Sequence, residues 1–258
     1  MNKIFLTLVL MIFFMAGCAP PGNVQKITVG IDDNYAPMGF RDEHGEIVGF
    51  DIDLAKEAAE RMNVEFVFKP IDWNNKEAEI TSGRVDMIWN GCDITDERKR
   101  YMIFSKPYMD NRQIILVRKG DNQEFYSEVD LADKVVGTQA GSNSEDYINE
   151  NQALKESFKS FKTYPNYKAA FEDLEKGFVD VLIVDEIAGR YEMSKQPVKF
   201  ESREVTIGPS TELGIGFKKD NVELRDKVQK VFDDMIKDGT ARKISEQWFQ
   251  ADLIKLRK

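Results

Sequence analysis

The chain has 258 residues, 42% hydrophobic and 31% charged, enough for a sizeable core in one large domain or two smaller ones. Its 36 Lys plus Arg against 45 Asp plus Glu leave a net charge of -9, which repels phosphate backbones and sets nucleic acid aside as a partner. His44 is the only histidine and no CxxC or His/Cys cluster occurs, so a zinc centre and a histidine-based triad are excluded and no metal or cofactor is expected.

The first residues read as a targeting segment. Lys3 gives a basic start, 4–15 form an apolar run broken only by Thr7, and Ala16-Gly17 place small residues before Cys18. The run is short for a bilayer span. It resembles a bacterial lipoprotein signal, which implies removal of 1–17, lipidation of Cys18 and a membrane anchor on the extracytoplasmic face. Met15 stands where Leu is usual, and a plain secretory signal with an incidental cysteine is the other reading. Residues 18–23 then form a tether. Cys92 is the one cysteine left, so no internal disulfide is expected.

The next elements alternate. Ile27, Val29 and Ile31 alternate with Thr28 and Gly30, which predicts a strand over 26–31. Helical spacing of Leu54, Ala58, Arg61 and Met62 predicts a helix over 49–62, with Asp51 or Asp53 able to cap it. A strand over 65–68, a short helix over 75–82 stopped by Gly83, and a buried strand over 85–89 follow. The pattern then restarts: strands over 134–137, 158–164 and 181–184, helices near 144–149, 167–176 and 186–193. A strand over 214–217, an amphipathic helix over 224–237 and a closing segment 244–249 end the chain. Trp248 and Phe249 are expected to pack on the first unit. Two such units make an α/β protein with largely parallel sheets covered by helices. Ligands in such sheets sit beyond the carboxyl ends of strands, which directs attention to the residues after Ile31, Trp89, Gly137 and Val184.

Several of these segments carry motifs. Asp32-Asp33-Asn34-Tyr35-Ala36-Pro37-Met38-Gly39-Phe40, Gly49-Phe50-Asp51-Ile52-Asp53-Leu54-Ala55, Gly83-Arg84-Val85-Asp86, Thr95-Asp96-Glu97-Arg98, Phe104-Ser105-Lys106-Pro107-Tyr108, Gly137-Thr138-Gln139-Ala140-Gly141-Ser142 and Asp180 to Asp185 occur in order over nearly all of the mature chain. Together they resemble the family 3 amino-acid-binding proteins of bacterial ABC importers. The resemblance implies a two-lobed, periplasmic-binding-protein-like fold with a two-strand hinge. Lobe 1 would comprise 24–112 plus 206–258, and lobe 2 would comprise 113–205. It also implies a free amino acid as ligand and a permease as partner; the chain is expected to act as a monomer.

Arg98 follows the buried strand by one short loop and offers a guanidinium suited to a planar carboxylate. By its neighbours alone, Thr95-Asp96-Glu97-Arg98-Lys99-Arg100 better describes a solvated helix start; the resemblance reverses that and assigns Arg98 to the ligand carboxylate. Asp185 ends a buried strand and is either the N-cap of the next helix or, as the resemblance implies, the partner of the ligand ammonium. Ser142 opens a helix whose free N–H groups suit an anion, and its backbone N–H is expected to donate to the carboxylate from the opposite lobe. Tyr35, Phe40 and Trp73 are the aromatic candidates for the ligand side chain, with Phe40 equally suited to the core. Trp89 is assigned to packing. At Asn90-Gly91-Cys92-Asp93 the chain departs from the family, which has a hydroxyl residue where Asp93 stands. Gly91 still offers backbone groups, and Cys92 is expected to fill the interior.

With Arg98 and Asp185 answering the zwitterion, Asp32 and Asp93 remain, and unpaired buried carboxylates call for positive charge or N–H donors. The expected ligand is arginine, lysine, histidine or glutamine, with glutamate and aspartate rejected. If Asp93 serves the ammonium instead, a neutral polar ligand such as cystine is as good a fit. No catalytic residues are assigned. A sensor domain of the same fold is one alternative, disfavoured by the absence of a fused signalling segment after Lys258. A dehydratase-like enzyme with Asp93 as base is another, and no matched acid–base pair accompanies it.

Overall fold

The computed structural model describes residues 24–255. The expected signal 1–17, Cys18 and the tether lie outside the described residues. The first unit runs β1 (Lys26–Ile31), β2 (Asn34–Tyr35), β3 (Gly39–Arg41), β4 (Ile47–Val48), α1 (Phe50–Met62), β5 (Glu65–Pro70), α2 (Lys76–Thr81), β6 (Met87–Asp93) and β7 (Met102–Phe104). A long strand, β8 (Met109–Arg118), leads to β9 (Val135–Gln139), α3 (Asn143–Glu150), α4 (Gln152–Ser157), β10 (Ser160–Tyr164), α5 (Tyr167–Glu175), β11 (Val181–Asp185) and α6 (Glu186–Lys195). The 19-residue β12 (Phe200–Lys218) returns, and α7 (Val222–Lys237) and α8 (Thr240–Phe249) finish the chain.

One path of hydrogen bonds joins these strands in the order β10-β9-β11-β8-β12-β6-β1-β5, with β7 on β12. It contains two parallel triplets, β5-β1-β6 and β10-β9-β11, each with its first strand in the middle. Between them β8 and β12 pair antiparallel from Arg118↔Phe200 to Met109↔Leu213, with register breaks at Arg203/Thr206 and Ile207/Thr211. The molecule is thus two α/β lobes joined by two antiparallel strands. A meander, β2-β3-β4, sits beside the first lobe.

Alternation decides which core each strand side chain enters. In β6, Met87 and Trp89 face the main core, while Ile88 and Cys92 join Trp73, Ile80, Val85 and Met102 under α2. In β11, Leu182 and Val184 face the main core, while Val181 and Ile183 face a cluster with Ile115, Val136 and Ile148. Trp89 meets Phe232 of α7 edge-on at 5.8 Å; truncating such a ring costs about 3–5 kcal/mol. Phe249 packs on Phe50 at 4.9 Å and Trp248 donates to Asp53 at 2.8 Å, so the chain end closes on the first unit as expected.

Three expectations change. The buried strand begins at Met87 and continues to Asp93, so Asp93 is a strand residue rather than part of a following loop. The strand expected over 214–217 is only the end of β12, whose pairing with β8 extends it back to Phe200. Neither Asp51 nor Asp53 caps α1: Gly49 occupies the cap position without a side-chain bond, and Asp51 is buried in the first turn.

Candidate ligand-binding site

The carboxyl ends of β1, β6, β9 and β11 converge between the lobes. Asp32, Tyr35, Trp73, Gly91, Asp93, Gln139, Ser142, Asn143 and Asp185 line a cavity of about 10 Å³ there. That is room for about one water, so the lobes are closed over it. Hydrogen bonds cross the seam: Gln139 Nε2 donates to Asp32 at 2.5 Å, and Tyr35 Oη donates to Asp185 at 2.9 Å. Gly141 brings the backbone of the second lobe close to that of the first. Its φ is +71, and a Cβ there would stand 2.8 Å from Asn74 Cα, so only glycine fits.

One pole of the site is basic. Arg98 opens a single 3-10 turn, Arg98–Arg100, and is 1% exposed, which rules out the solvated helix start. Its Nη1 lies 3.3 Å from the Asp93 carbonyl and 3.5 Å from the Asp93 carboxylate, and its Nη2 donates to the Gly141 carbonyl at 3.2 Å. Its Nε–H has no acceptor. Arg98 does not itself line the cavity, whose wall on this side is Asp93; it is a buried guanidinium with one unpaired donor, a chemistry suited to an anion.

The other pole is acidic. Asp185 makes no capping bond to α6. Its carboxylate accepts from Asn111 at 2.5 Å, Gln113 at 2.6 Å, Tyr35 at 2.9 Å and Tyr167 at 3.1 Å. Burial and then the neighbouring Asp93 raise its pKa. Asp93 accepts from Asn111 at 2.9 Å and Thr211 at 2.5 Å in addition to Arg98. Asp32 takes only Gln139 and the Asn34 amide at 2.9 Å, and burial pushes its carboxyl up to about 6. It has no cationic partner among the described residues, which makes it the uncompensated acid of the cleft.

The aromatic candidates divide. Tyr35 packs against Gly91, where a Cβ at φ +55 would come within 2.4 Å of the ring. Trp73, in a turn held by Asp72, lines the cavity. Phe40 does not line it: on β3 its ring packs against Trp248 at 5.9 Å and Tyr191 at 6.0 Å. Strand alternation turns it outward, away from Tyr35. Ser142 caps α3, accepting from the Glu145 amide at 3.1 Å, and its own N–H reaches the Gln139 carbonyl at 3.3 Å. Gly91 donates its N–H to Asp51 at 2.6 Å.

Sequence reasoning missed Asn111, Gln113, Gln139, Tyr167 and Lys76. The first two share one side of β8 by their i, i+2 spacing, a signal readable once β8 is recognised as a strand. Gln139 lies inside the Gly137 to Ser142 motif, and Tyr167 begins the helix expected over 167–176. Lys76 is 6% exposed, and its ammonium donates across the seam to the Gly141 carbonyl at 2.7 Å. Nothing in its local sequence marks it.

Residues 27–251 match the family described as bacterial extracellular solute-binding proteins, family 3. The L-cystine-binding protein TcyJ of Escherichia coli is 31% identical over 230 residues, 89% of this chain and 84% of that one. The histidine-binding periplasmic protein of Salmonella typhimurium is 31% identical over 265 residues, 98% of this chain and 99% of that one. A solved ABC uptake transporter substrate-binding protein from Streptococcus pneumoniae with bound histidine superposes with a TM-score of 0.84 at 32% identity, covering 90% of this chain and 95% of that one. The chain belongs to family 3 of the bacterial extracellular solute-binding proteins.

Proposed function

We propose that this protein captures a free polar amino acid outside the cytoplasm and delivers it to an ABC-type importer, held at the membrane by lipid on Cys18. The observation that carries the reading is the pairing, within one cleft, of a buried arginine with a free Nε–H and a buried aspartate ringed by donors. A zwitterion has one group for each. Arg98 takes the carboxylate and Asp185 the ammonium, with the ligand side chain between Tyr35 and Trp73 and reaching Asp32. The relatives bind cystine, histidine and arginine, which fits a polar ligand.

The partners of the two remaining acids support a narrower charge balance. Asp93 is neutralised in place by Arg98, Asn111 and Thr211, so Asp32 alone asks the ligand side chain for positive charge or N–H donors. Arginine, lysine, histidine and glutamine meet that demand, and cystine does so through its second ammonium. The reading divides the chain into lobe 1 (24–112 plus 206–258) and lobe 2 (113–205), supported by the crossing of β8 and β12. Among the described residues no helix is long and apolar enough to cross a membrane. A thermal-shift panel of the common amino acids plus cystine tests the function. A ligand at a hundred times its Kd adds about 2.7 kcal/mol, and a polar or cationic amino acid should give that shift. A shift with glutamate alone would overturn the ligand class, and no shift with any member would overturn the function.

A further inference from the structure

Lys76 is a buried cation that the zwitterion reading does not use. Its ammonium donates to the Gly141 carbonyl of the second lobe at 2.7 Å and to the Trp73 carbonyl of its own lobe at 3.4 Å, and stands 5.6 Å from the Trp73 ring centre. No carboxylate among the described residues lies within ion-pair distance of it; Asp93 and Asp146 pair with Arg98 at 3.5 and 3.8 Å. Arg98 donates to the same Gly141 oxygen at 3.2 Å, so the two cations lie within about 6 Å of each other. An ammonium whose acceptors are neutral carbonyls, beside a second cation, is costly to desolvate. Its shortest contact is to a residue of the second lobe, so an opening of the cleft would part it from Gly141 and admit water to the ammonium.

We propose that Lys76 is a specificity-determining closure gate: an ammonium in the seam disfavours closing of the empty cleft and makes closing conditional on a ligand carboxylate at Arg98. The inference rests on the amino-acid reading of the cleft. A carboxylate on the free Arg98 Nε–H brings negative charge next to both cations and offsets the cost of burying Lys76. Amino acids carry that anion, while their amides do not, so the gate adds to the discrimination that Arg98 makes directly. It acts through the lobes rather than by touching the ligand.

The pH dependence has a definite sign. Burial first, and then Arg98, lower the pKa of Lys76 from 10.5 to about 8 in the closed form. Opening returns it toward 10.5, so above about pH 8 the closed form holds fewer protons than the open one. Raising the pH therefore favours empty closure. The charged and titratable groups facing Lys76 are Glu97 and Arg98, Cys92 and Asp93 of β6, and Glu145 and Asp146 of α3. A window of pH 7 to 9 lies below the Cys92 thiol, which burial pushes up from 9.

The test uses a Cys18→Ser background with nitroxides at Asp96→Cys and Glu150→Cys, which flank one crevice between the lobes. Electron paramagnetic resonance reads the distance without ligand, and calorimetry reads the affinity for arginine against argininamide and histidine against histidinamide. Lys76→Met should shift the empty protein to the short distance and remove its change between pH 7 and 9. It should also lower the preference for acid over amide about tenfold, within the roughly 300-fold that a fall from 10.5 to 8 allows. Distances and preferences equal to those of the unsubstituted protein would overturn the gate, as would a more open variant. If Lys76→Met does not fold, Lys76→Gln and the pH series of the unsubstituted protein decide the same point. Should neither of these two amino acids bind the unsubstituted protein, the thermal-shift panel supplies the acid and amide pair to use in their place; if no amino acid in the panel binds, the amino-acid reading fails on its own, while the nitroxide distances still decide the gate.

Discussion

Asp51 offers a sharp test of how burial sets charge in this fold. Its carboxylate is fully buried at the start of α1, accepting from the Gly91 amide at 2.6 Å and from Tyr108 Oη at 2.8 Å. No cation stands within ion-pair distance among the described residues. Burial pushes the carboxyl up to about 7 from 3.8. The folded chain therefore binds more protons than the unfolded one between those values, and stability is lost as pH rises from about 4 to about 7. At 1.36 kcal/mol per pK unit the loss is about 4 kcal/mol. Asp51→Asn removes this titration while keeping the shape: its oxygen still accepts from Gly91, and its amide can donate to a Tyr108 hydroxyl that has turned round. Urea unfolding of both proteins from pH 4 to pH 8 measures the effect, since other titrating groups cancel in the difference. The variant should gain several kcal/mol on the unsubstituted protein across that range. A difference constant to within about 0.5 kcal/mol would refute the claim that Asp51 is held by burial without compensating charge.

Other outcomes follow from the same site. Arg98→Ala and Asp185→Ala should each weaken amino-acid binding at least tenfold without unfolding the protein, because losing one partner of a desolvated charge pair costs ~2–5 kcal/mol; near-normal titration calorimetry in either variant would reject the assignment. Cys18→Ser should move the protein from the membrane fraction to the soluble fraction, and a mature protein that still begins at Met1 by mass spectrometry would reject the lipid anchor.

The legibility of the chain varied with how local the determining contacts are. β1 was readable to the residue because Ile27, Val29 and Ile31 alternate and all three enter the core. β6 was misplaced because the apolar run suggested an early start, whereas Val85 packs before the strand and the polar Asn90 and Asp93 continue it. Polar residues extend a buried strand there because they serve the cleft. β8 and β12 were unreadable as strands: Gly208-Pro209-Ser210 has turn composition, and what carries β12 through its two register breaks is its pairing with β8 about ninety residues away. Most of the site residues were legible only through the ordered motifs, since locally Arg98 reads first as a solvated helix start and Asp185 equally well as a helix N-cap. Lys76 was invisible because its burial depends on Gly141, a residue of the other lobe.

The closed cleft also constrains how affinity arises. Each pole is already bonded across the seam or to the crossing strands: Asp32 to Gln139, Asp185 to Tyr35 and Asn111, Arg98 to Gly141. A ligand that enters replaces those bonds rather than adding to a bare surface. Exchange of one hydrogen bond for another is worth about 0.5–1.5 kcal/mol, whereas a buried polar group left without a partner costs about 1–3 kcal/mol, more when charged. Discrimination therefore comes chiefly from ligands that displace a bond and fail to restore it. Gln139 shows where that falls. A side chain without donors would separate it from Asp32 and leave one oxygen of the carboxylate without a donor, the other keeping the Asn34 amide, so apolar amino acids are rejected by what they break. A guanidinium, imidazole, amide or second ammonium restores the bond and keeps the cleft shut.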